Sequence, residues 1–354
     1  MFSIIGAGPI GSYQAYLLAK RGEKVNVYEE DNKIGKPVRC TGILTKELKE
    51  FVEPSKKFVV NKIKKAKIYA PNGKTVEFKF KEEDLIVDRT KFDQHLADKA
   101  EKEGAKFLLN HKYKGNSGKE LHINNKKIKT DYLIGADGPF SRVAKHNSMW
   151  CDRKFIFGDQ IVCEKEAEDR NTMEIWLGIG TFAWSVPEKK GISRLGVVCY
   201  EDPIGHLKRL KKVSCPKAKI IERQAGHIPL YNPRQILQKD FVSLVGDAAT
   251  QVKATSYGGI ILGMKAAELL AKGPKTYQRN ARLKVGKDLY LSLLIRKALN
   301  NFTEKDYNKL VETFGKPKLQ KVLETNSRDY PSKFAMQLML KEPSLLKYAL
   351  KALI

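Results

Sequence analysis

FSIIGAGPIGSYQAYLLAKRGEKVNVYEE, residues 2–30, is the stretch that decides the fold of this chain. Residues 2–5 predict a short buried strand, and a glycine-rich turn follows it directly. The apolar residues within 15–19 then recur at helical spacing, and residues 25–28 predict a second strand. The stretch therefore predicts a strand–turn–helix–strand unit of the Rossmann type.

The glycines of the turn have the spacing of a dinucleotide-binding motif. The first allows the tight turn, the second lets the backbone approach a pyrophosphate, and the third lets helix and strand pack closely. The N–H groups at the start of the helix attract phosphate, and a glutamate that ends the second strand can accept hydrogen bonds from a ribose. The alternative is a purely structural role, in which a glycine-rich turn lies beside a surface acid and binds no cofactor. We predict cofactor contacts from Gly6, Gly8, Pro9, Gly11, Glu29 and Glu30.

Two later Gly–Asp motifs indicate which dinucleotide is bound. GADG at 135–138 and GDAA at 246–249 each follow a predicted strand. An aspartate at the carboxyl end of such a strand lies at the edge of the sheet where ligands bind. Asp247 can accept a hydrogen bond from a sugar-alcohol chain, which FAD has and NAD lacks, and a glycine pair opens the next helix toward the flavin. FAD is the predicted cofactor, with contacts expected from Ala136, Asp137, Gly138, Gly246, Asp247, Gly258 and Gly259.

The rest of the chain predicts an α/β (α+β) fold with a second, antiparallel sheet. Period-two patterns recur in residues 57–88 and 154–230, residues 112–130 predict a polar hairpin, and helical periodicity dominates from about residue 259. We predict three regions. They are a discontinuous Rossmann-like FAD-binding domain (1–56, 85–150 and 235–272), an antiparallel β-sheet substrate domain (57–84 and 151–234) and a C-terminal helical region (273–354).

The charge of the chain is strongly positive. The 354 residues carry 66 Lys and Arg against 40 Asp and Glu, a net charge of +26, and 14 of the 66 are Arg. Diffuse lysine charge favours attraction to an anionic membrane surface, whereas base-specific reading of a nucleic acid relies more on arginine, so no nucleic-acid partner is predicted. The alternative is a solvated surface in a lysine-rich protein.

The C-terminal residues alternate leucine with lysine. That pattern is typical either of a helix face lying on anionic lipid or of an ordinary packing helix. The residues concerned are Leu338, Leu345, Leu346, Leu350 and Ile354, with Lys341, Lys347 and Lys351.

The cysteines do not predict a metal site or a disulfide framework. There are five, an odd number, and no two are spaced as CxxC. No signal peptide pattern precedes residue 2, and no stretch approaches about 18 uninterrupted apolar residues. We therefore predict a cytoplasmic protein, with peripheral contact at the inner face of the membrane left open.

Taken in order along the chain, these motifs resemble those of the flavoprotein monooxygenase superfamily, which has the p-hydroxybenzoate hydroxylase type of fold. The likeness narrows to the geranylgeranyl reductases and covers about residues 1–300. It is carried by IGKPVRCTG at 34–42, VDRTKFDQHL at 87–96, FAWSVP at 182–187 and the helix at 277–296.

The resemblance implies an FAD-dependent enzyme that saturates the double bonds of geranylgeranyl chains on archaeal-type membrane phospholipid precursors. It places Cys40 beside the flavin, so that the hydride comes from reduced FAD and the proton from Cys40 or water; a buried structural cysteine is the alternative. It places Arg89 near the cofactor, with a surface charge at the start of a helix as the alternative. Arg39, next to Cys40, is expected to contact either the flavin or a phosphate headgroup.

The same resemblance implies a substrate pocket walled by Phe182, Trp184 and Pro187. The chain departs from the family here, because Phe182 replaces a tyrosine and Val186 replaces an aromatic residue. The surface stays apolar, which suits a prenylated lipid. The alternative is same-face packing of Phe182 and Trp184 in a strand.

Three other functions are weighed against this one. An FAD-dependent monooxygenase acting on an apolar substrate starts from the same reduced flavin, and a flavin halogenase shares the aromatic–Trp–Pro pattern. A nucleic-acid-binding protein is suggested only by the net charge. No second nicotinamide domain is evident in the sequence, so the expected electron donor is external, either a ferredoxin-like protein or a soluble hydride donor.

Overall fold

The computed structural model describes residues 1–352, so that Ile354 lies outside the described residues. The chain forms two compact units. Unit 1 contains residues 1–38, 89–154 and 229–290, and unit 2 contains residues 39–88, 155–228 and the chain from residue 291 onward.

The strands are, in chain order, β1 Phe2–Ile5, β2 Val25–Tyr28, β3 Ile43–Leu44, β4 Val59–Tyr69, β5 Thr75–Val87, β6 Lys106–Leu108, β7 Tyr113–Ser117, β8 Glu120–Ile123, β9 Lys126–Lys129, β10 Tyr132–Gly135, β11 Phe155–Glu164, β12 Thr172–Trp176, β13 Phe182–Lys189, β14 Ile192–Cys199, β15 Ile220–Pro229, β16 Gln238–Lys239 and β17 Val242–Leu244.

The helices are α1 Pro9–Ala19, α2 Arg89–Lys102, α3 Arg142–His146, α4 Pro203–Ser214, α5 Ile260–Lys272, α6 Tyr277–Ala281, α7 Lys287–Asn300, α8 Glu304–Phe314, α9 Pro317–Thr325, α10 Ala335–Lys341 and α11 Leu346–Leu350. A π-helical turn, Arg282–Gly286, joins α6 to α7, and short 3₁₀ turns include Lys46–Glu50 and Gly246–Ala249.

Unit 1 is built on a mainly parallel six-stranded sheet with the order β16-β17-β10-β1-β2-β6. The central strand β1 pairs in parallel with both β2 and β10, and β10 pairs in parallel with β17. A parallel sheet is buried on both faces, so its strands consist largely of apolar residues. Ile4, Val27 and Leu133 are fully buried here. The carboxyl ends of β1, β2, β10 and β17 therefore meet at one edge, as the sequence predicts for the Gly-rich and Gly–Asp motifs.

The predicted polar hairpin at 112–130 is instead a three-stranded meander of β7, β8 and β9. The second turn is made by Asn124, which adopts a left-handed backbone conformation with φ 52°. Asparagine tolerates this conformation, and its side chain accepts a hydrogen bond from the Lys112 N–H. The sequence pattern was too short and too polar to show this second turn.

Unit 2 is built on an eight-stranded sheet with the order β15-β11-β14-β13-β12-β4-β5-β3. The period-two runs of residues 154–230 form antiparallel strands as predicted, with Gly191 at positive φ in the turn between β13 and β14. One pair departs from the prediction, because β12 runs parallel to β4. The alternation of side chains gives no information on strand direction, so this pairing could not be predicted.

One face of this sheet is covered by α4. Ala183, Leu195 and Val197 lie on that face and pack with Leu207 and Leu210 of the helix. The intervening residues of β13 and β14 face the other way, because successive side chains of a strand alternate. That opposite face carries Phe182 and Trp184.

The units differ from the predicted regions chiefly at two places, besides boundary shifts at residues 85–88, 151–154 and 229–234. Residues 39–56 belong to unit 2, whereas the sequence analysis assigned them to the cofactor domain. The C-terminal helices, predicted as one region, are divided near residue 290 between the two units.

A search of the described residues for a membrane-spanning helix found none with the necessary length and apolar character.

Candidate functional site

The glycine-rich turn of unit 1 is packed tightly at its first and third glycines and open at its second. Gly6 has φ 101°, and a Cβ atom there would lie 2.5 Å from the Ala136 carbonyl oxygen. A Cβ atom at Gly11 would lie 2.0 Å from the Gly6 carbonyl oxygen. A Cβ atom at Gly8 would have no neighbour within 4 Å, and Pro9 begins α1 beside it. The free space lies where a pyrophosphate would approach the start of the helix.

The two glutamates after β2 have different environments. The Glu29 carboxylate accepts hydrogen bonds from the N–H groups of Ala7 (2.7 Å) and Asp31 (3.0 Å). Glu29 is thereby fixed against the glycine-rich turn, and each of its oxygens keeps a lone pair for a ribose hydroxyl. Glu30 is exposed and pairs with Lys112 at 2.8 Å. Of the two, Glu29 has the geometry of a ribose ligand.

Asp137 is engaged within the protein. Its carboxylate accepts hydrogen bonds from the Ser141 hydroxyl (2.6 Å) and from the N–H groups of Arg142 (2.7 Å) and Val143 (3.0 Å). Burial raises the pKa of Asp137, and these hydrogen bonds oppose that rise. Asp137 therefore caps the first turn of α3, while Ala136 packs against Gly6 and Gly138 adopts positive φ to complete the turn.

Asp247 presents the opposite case. It lies in the turn that follows β17, and within residues 1–352 its carboxylate accepts no hydrogen bond. Burial raises the pKa of Asp247, and the positive charges of Arg89 and Arg153 oppose that rise. Its Oδ1 lies 3.2 Å from the position of a Cβ atom at Gly259, so a side chain at the start of α5 would crowd the carboxylate. A partly buried carboxylate without a protein donor fits a ligand hydroxyl.

The remaining predicted unit 1 residues support this turn. Gly246 has φ 64° and begins the turn, and Gly258 leaves space near Lys253. Arg89 forms a two-bond ion pair with Asp93 one helical turn along α2 (2.9 and 3.2 Å), which fixes its guanidinium.

Arg153 is a residue of unit 1 that the sequence analysis missed. Its buried guanidinium donates to the carbonyl oxygens of Pro139 (2.9 Å) and Ala248 (2.7 Å) and to the side chain of Gln235 (2.9 Å), and it stacks on Trp150 at 4.0 Å. It thus holds together the two turns that follow β10 and β17. No local pattern could show this role, because its partners are backbone atoms 14 and 95 residues away.

Cys40 of unit 2 lies in a loop that is held from two sides. The thiol is half-buried, and its sulfur accepts a hydrogen bond from the Gly42 N–H at 3.4 Å. The Thr41 hydroxyl donates to Gln160 at 2.7 Å, and the buried guanidinium of Arg194 donates to the Thr41 carbonyl. Arg39, before the cysteine, is exposed beside Gly226.

The buried guanidinium of Arg194 makes its hydrogen bonds through Nε and Nη1. Besides Thr41 it contacts the Val87 carbonyl oxygen (3.0 Å) and pairs with Glu188 (3.0 Å). Gln160 and Arg194 are the residues of unit 2 that sequence reasoning missed, since their partners are distant in the chain.

The strand register places these groups on one face of the unit 2 sheet. Trp184 lies opposite Gly196, which in turn lies opposite Gln160, and Arg194 is two residues from Gly196 along β14. Directly opposite residues share a face. The loop that carries Cys40 is therefore bound to the same face as Phe182 and Trp184.

Two features define the aromatic residues on that face. The rings of Phe182 and Trp184 lie 6.0 Å apart, and a Cβ atom at Gly196 would lie 2.2 Å from the indole, so glycine is required beneath it. The buried Trp184 Nε1 has no hydrogen-bond partner among the described residues. Pro187 lies on the opposite face of β13, so it does not share a wall with the two aromatic rings.

The chain was compared with known proteins. It is 30% identical to a digeranylgeranylglycerophospholipid reductase of Methanocaldococcus jannaschii, over 98% of this chain and 96% of that protein. The chain belongs to the digeranylgeranylglycerophospholipid reductase family. A second member, from Methanothrix thermoacetophila, is 29% identical over 88% of this chain and 90% of its own.

Further matches concern the fold of this reductase family member. Residues 4–42 match the NAD(P)-binding Rossmann-like domain. A geranylgeranyl bacteriochlorophyll reductase-like protein of Thermoplasma acidophilum superposes with a TM-score of 0.85, at 21% identity and 98% coverage of both chains. A flavin-dependent brominase superposes with a TM-score of 0.70 at 16% identity, covering 97% of this chain and 99% of its own. The predicted α/β fold and the resemblance to geranylgeranyl reductases are thereby confirmed.

The contrast between the two aspartates predicts different effects of removing each charge. Asp247→Asn removes a carboxylate with no protein donor, so we expect an unchanged or raised Tm of the apoprotein and FAD binding weakened about 10–100-fold. Asp137→Asn breaks hydrogen bonds at the start of α3, so we expect it to lower the free energy of unfolding by about 1–2 kcal/mol. Thermal denaturation and FAD titration measure both, and a lower Tm for Asp247→Asn would show a structural role instead.

The hydrogen bonds that hold the Cys40 loop predict how fast Cys40 is alkylated when Arg194 is replaced. Arg194→Gln releases the Thr41 and Val87 carbonyls, so we expect Cys40 to be alkylated by iodoacetamide several-fold faster under native conditions, as followed by peptide mass spectrometry. Arg209→Gln, an exposed arginine of the same unit, is the matched control. Equal alkylation rates in the two variants would mean that Arg194 does not restrain the loop.

Proposed function

We propose that the chain is an FAD-dependent reductase that saturates the carbon–carbon double bonds of geranylgeranyl chains on membrane phospholipid precursors. The observation that carries the proposal is family membership over 98% of the chain, together with cofactor motifs whose geometry fits FAD. When bound, reduced FAD supplies the hydride that adds to one carbon of the double bond.

The residues of unit 1 would hold the cofactor by distinct chemistry. The backbone at Gly8 and the N–H groups of α1 would bind the pyrophosphate, and Glu29 the ribose. The Asp247 carboxylate would accept a hydrogen bond from the sugar-alcohol chain, which satisfies a buried acceptor that has no protein donor. That unsatisfied acceptor favours FAD over a nicotinamide cofactor, which has no such chain.

The residues of unit 2 would handle the substrate and the proton. The Phe182 and Trp184 rings would contact an apolar prenyl chain. The Cys40 thiol would donate a proton to the second carbon of the double bond, which completes the addition of H⁻ and H⁺, and the thiolate would then be reprotonated from water. Water delivered beside the same loop is the alternative proton source.

Two partners complete the proposal. The electrons come from an external donor, either a reduced ferredoxin-like protein or a soluble hydride donor. The +26 net charge favours work at an anionic membrane surface, where a phospholipid precursor is found.

The reaction can be tested on chemically reduced holoenzyme incubated anaerobically with a digeranylgeranylglycerol phospholipid. We expect mass spectrometry of the lipid to show gains of hydrogen pairs, about 2 Da each, because each double bond takes up H⁻ and H⁺. Gain of one oxygen atom, only when air is admitted, would establish the monooxygenase alternative. An unchanged lipid under both conditions would refute the proposed substrate.

The proton source predicts the effect of Cys40→Ser. Loss of a positioned general acid lowers turnover by about 10²–10⁴-fold, so we expect that range for single-turnover reduction of the same lipid. Cys151→Ser, a half-buried cysteine of unit 1, is the control and should react as the wild type does. Full turnover in Cys40→Ser would assign the proton to water.

A further inference from the structure

The last two helices of the described chain expose large apolar side chains. Met336 and Leu340 of α10 are 69% and 75% exposed, and Leu346 and Leu350 of α11 are 52% and 63% exposed. The members of each pair are four residues apart, so they lie on the same side of their helix. We call these four residues the C-terminal apolar face.

The helices are anchored through other side chains. Tyr348 is buried and its ring lies 4.9 Å from that of Phe302, while Lys351 pairs with Asp306 at 2.6 Å. Glu342, between the helices, pairs with Lys316 at 2.6 Å. The C-terminal apolar face is therefore exposed on a segment that is folded and anchored to the rest of the unit.

The charges around this face are positive. Residues 331–351 contain four lysines and one glutamate, and that glutamate is already neutralised by Lys316 and Lys318. Lys341 and Lys347 are exposed, and neither forms an ion pair among the described residues. Exposed apolar side chains, in a segment where Lys341 and Lys347 are exposed and form no ion pair among the described residues, are complementary to one occupant above others, an anionic lipid bilayer.

We propose that the C-terminal apolar face inserts into the interfacial region of an anionic bilayer, with Lys341 and Lys347 against the lipid headgroups. This inference deepens the proposed function and rests on it for its purpose, because a lipid substrate must be drawn from a bilayer. The inference itself concerns only the binding of the chain to vesicles. That binding requires neither bound FAD nor turnover of the substrate.

The test is flotation of the full chain with vesicles of phosphatidylcholine alone or with about one third phosphatidylglycerol. Met336→Gln/Leu340→Gln and, separately, Leu346→Gln/Leu350→Gln remove apolar area without changing the charge. Val213→Gln/Leu283→Gln is the matched control, since those two residues are also more than half exposed but lie on α4 and the π-helical turn. We expect each face variant to bind anionic vesicles at least about 10-fold more weakly, and the control to bind within about twofold of the wild type.

The electrostatic part has its own variants. Lys341→Gln/Lys347→Gln should lose most binding to anionic vesicles, while Lys212→Gln/Lys217→Gln, exposed lysines at the end of α4 and beyond it, should lose little. Wild-type binding that is equal on neutral and anionic vesicles would overturn this part. Face variants that bind as the wild type does would overturn the inference as a whole.

Two further results distinguish membrane binding from self-association of the chain and from failure of the proposed function. If the face variants change the molecular mass in light scattering without changing vesicle binding, the face is an interface between copies of the chain and the inference is wrong. Reduction of the lipid in detergent should be unchanged in the face variants. Failure of that assay in the wild type would refute the proposed function while leaving vesicle binding to be judged on its own result.

Discussion

The close approach of the glycine-rich turn to residue 136 is the constraint on which unit 1 depends. A Cβ atom at Gly6 would strike the Ala136 carbonyl, and one at Gly11 would strike Gly6 itself. Because these positions are glycine, β1, α1 and the turn after β10 pack without a gap. The open position at Gly8 then lies beside the start of α1, at the edge of the sheet where parallel strands end.

Polar groups withdrawn from water differ in how far the chain itself satisfies them. Asp137 has three hydrogen-bond donors within the chain, and Arg153 uses both of its Nη atoms while its buried Nε has no partner among the described residues. Asp247 and the Trp184 Nε1 lack such partners among the described residues. Because an unsatisfied polar group withdrawn from water costs free energy, the proposed function gives the partly buried Asp247 carboxylate a donor in the sugar-alcohol chain of FAD.

In unit 2 the energetics of a buried arginine fix the loop that carries Cys40. A guanidinium removed from water must have its donors satisfied, and Arg194 satisfies them with Glu188 and with carbonyl oxygens of the loop and of β5. The loop is held as a consequence of that requirement, on the same face of the sheet as Phe182 and Trp184. The Cys40 thiol thereby gains a defined position from the hydrogen bonds of a group on another strand.

The sequence by itself determined the class of the fold, the family and the order of the cofactor motifs, because these depend on local spacing: glycines in a turn, apolar runs in strands, aspartates where strands end. It gave no sign that Asp137 and Asp247 differ in their hydrogen bonding, since each lies in a glycine-containing turn just after a strand. It could not show Arg153, Gln160 or Arg194, which each have hydrogen-bond partners in other turns or strands 14 to 153 residues away, nor the parallel pairing of β12 with β4. Those features were decided only by the tertiary structure, because hydrogen bonds between distant segments and the exposure of each side chain exist only once the chain has packed.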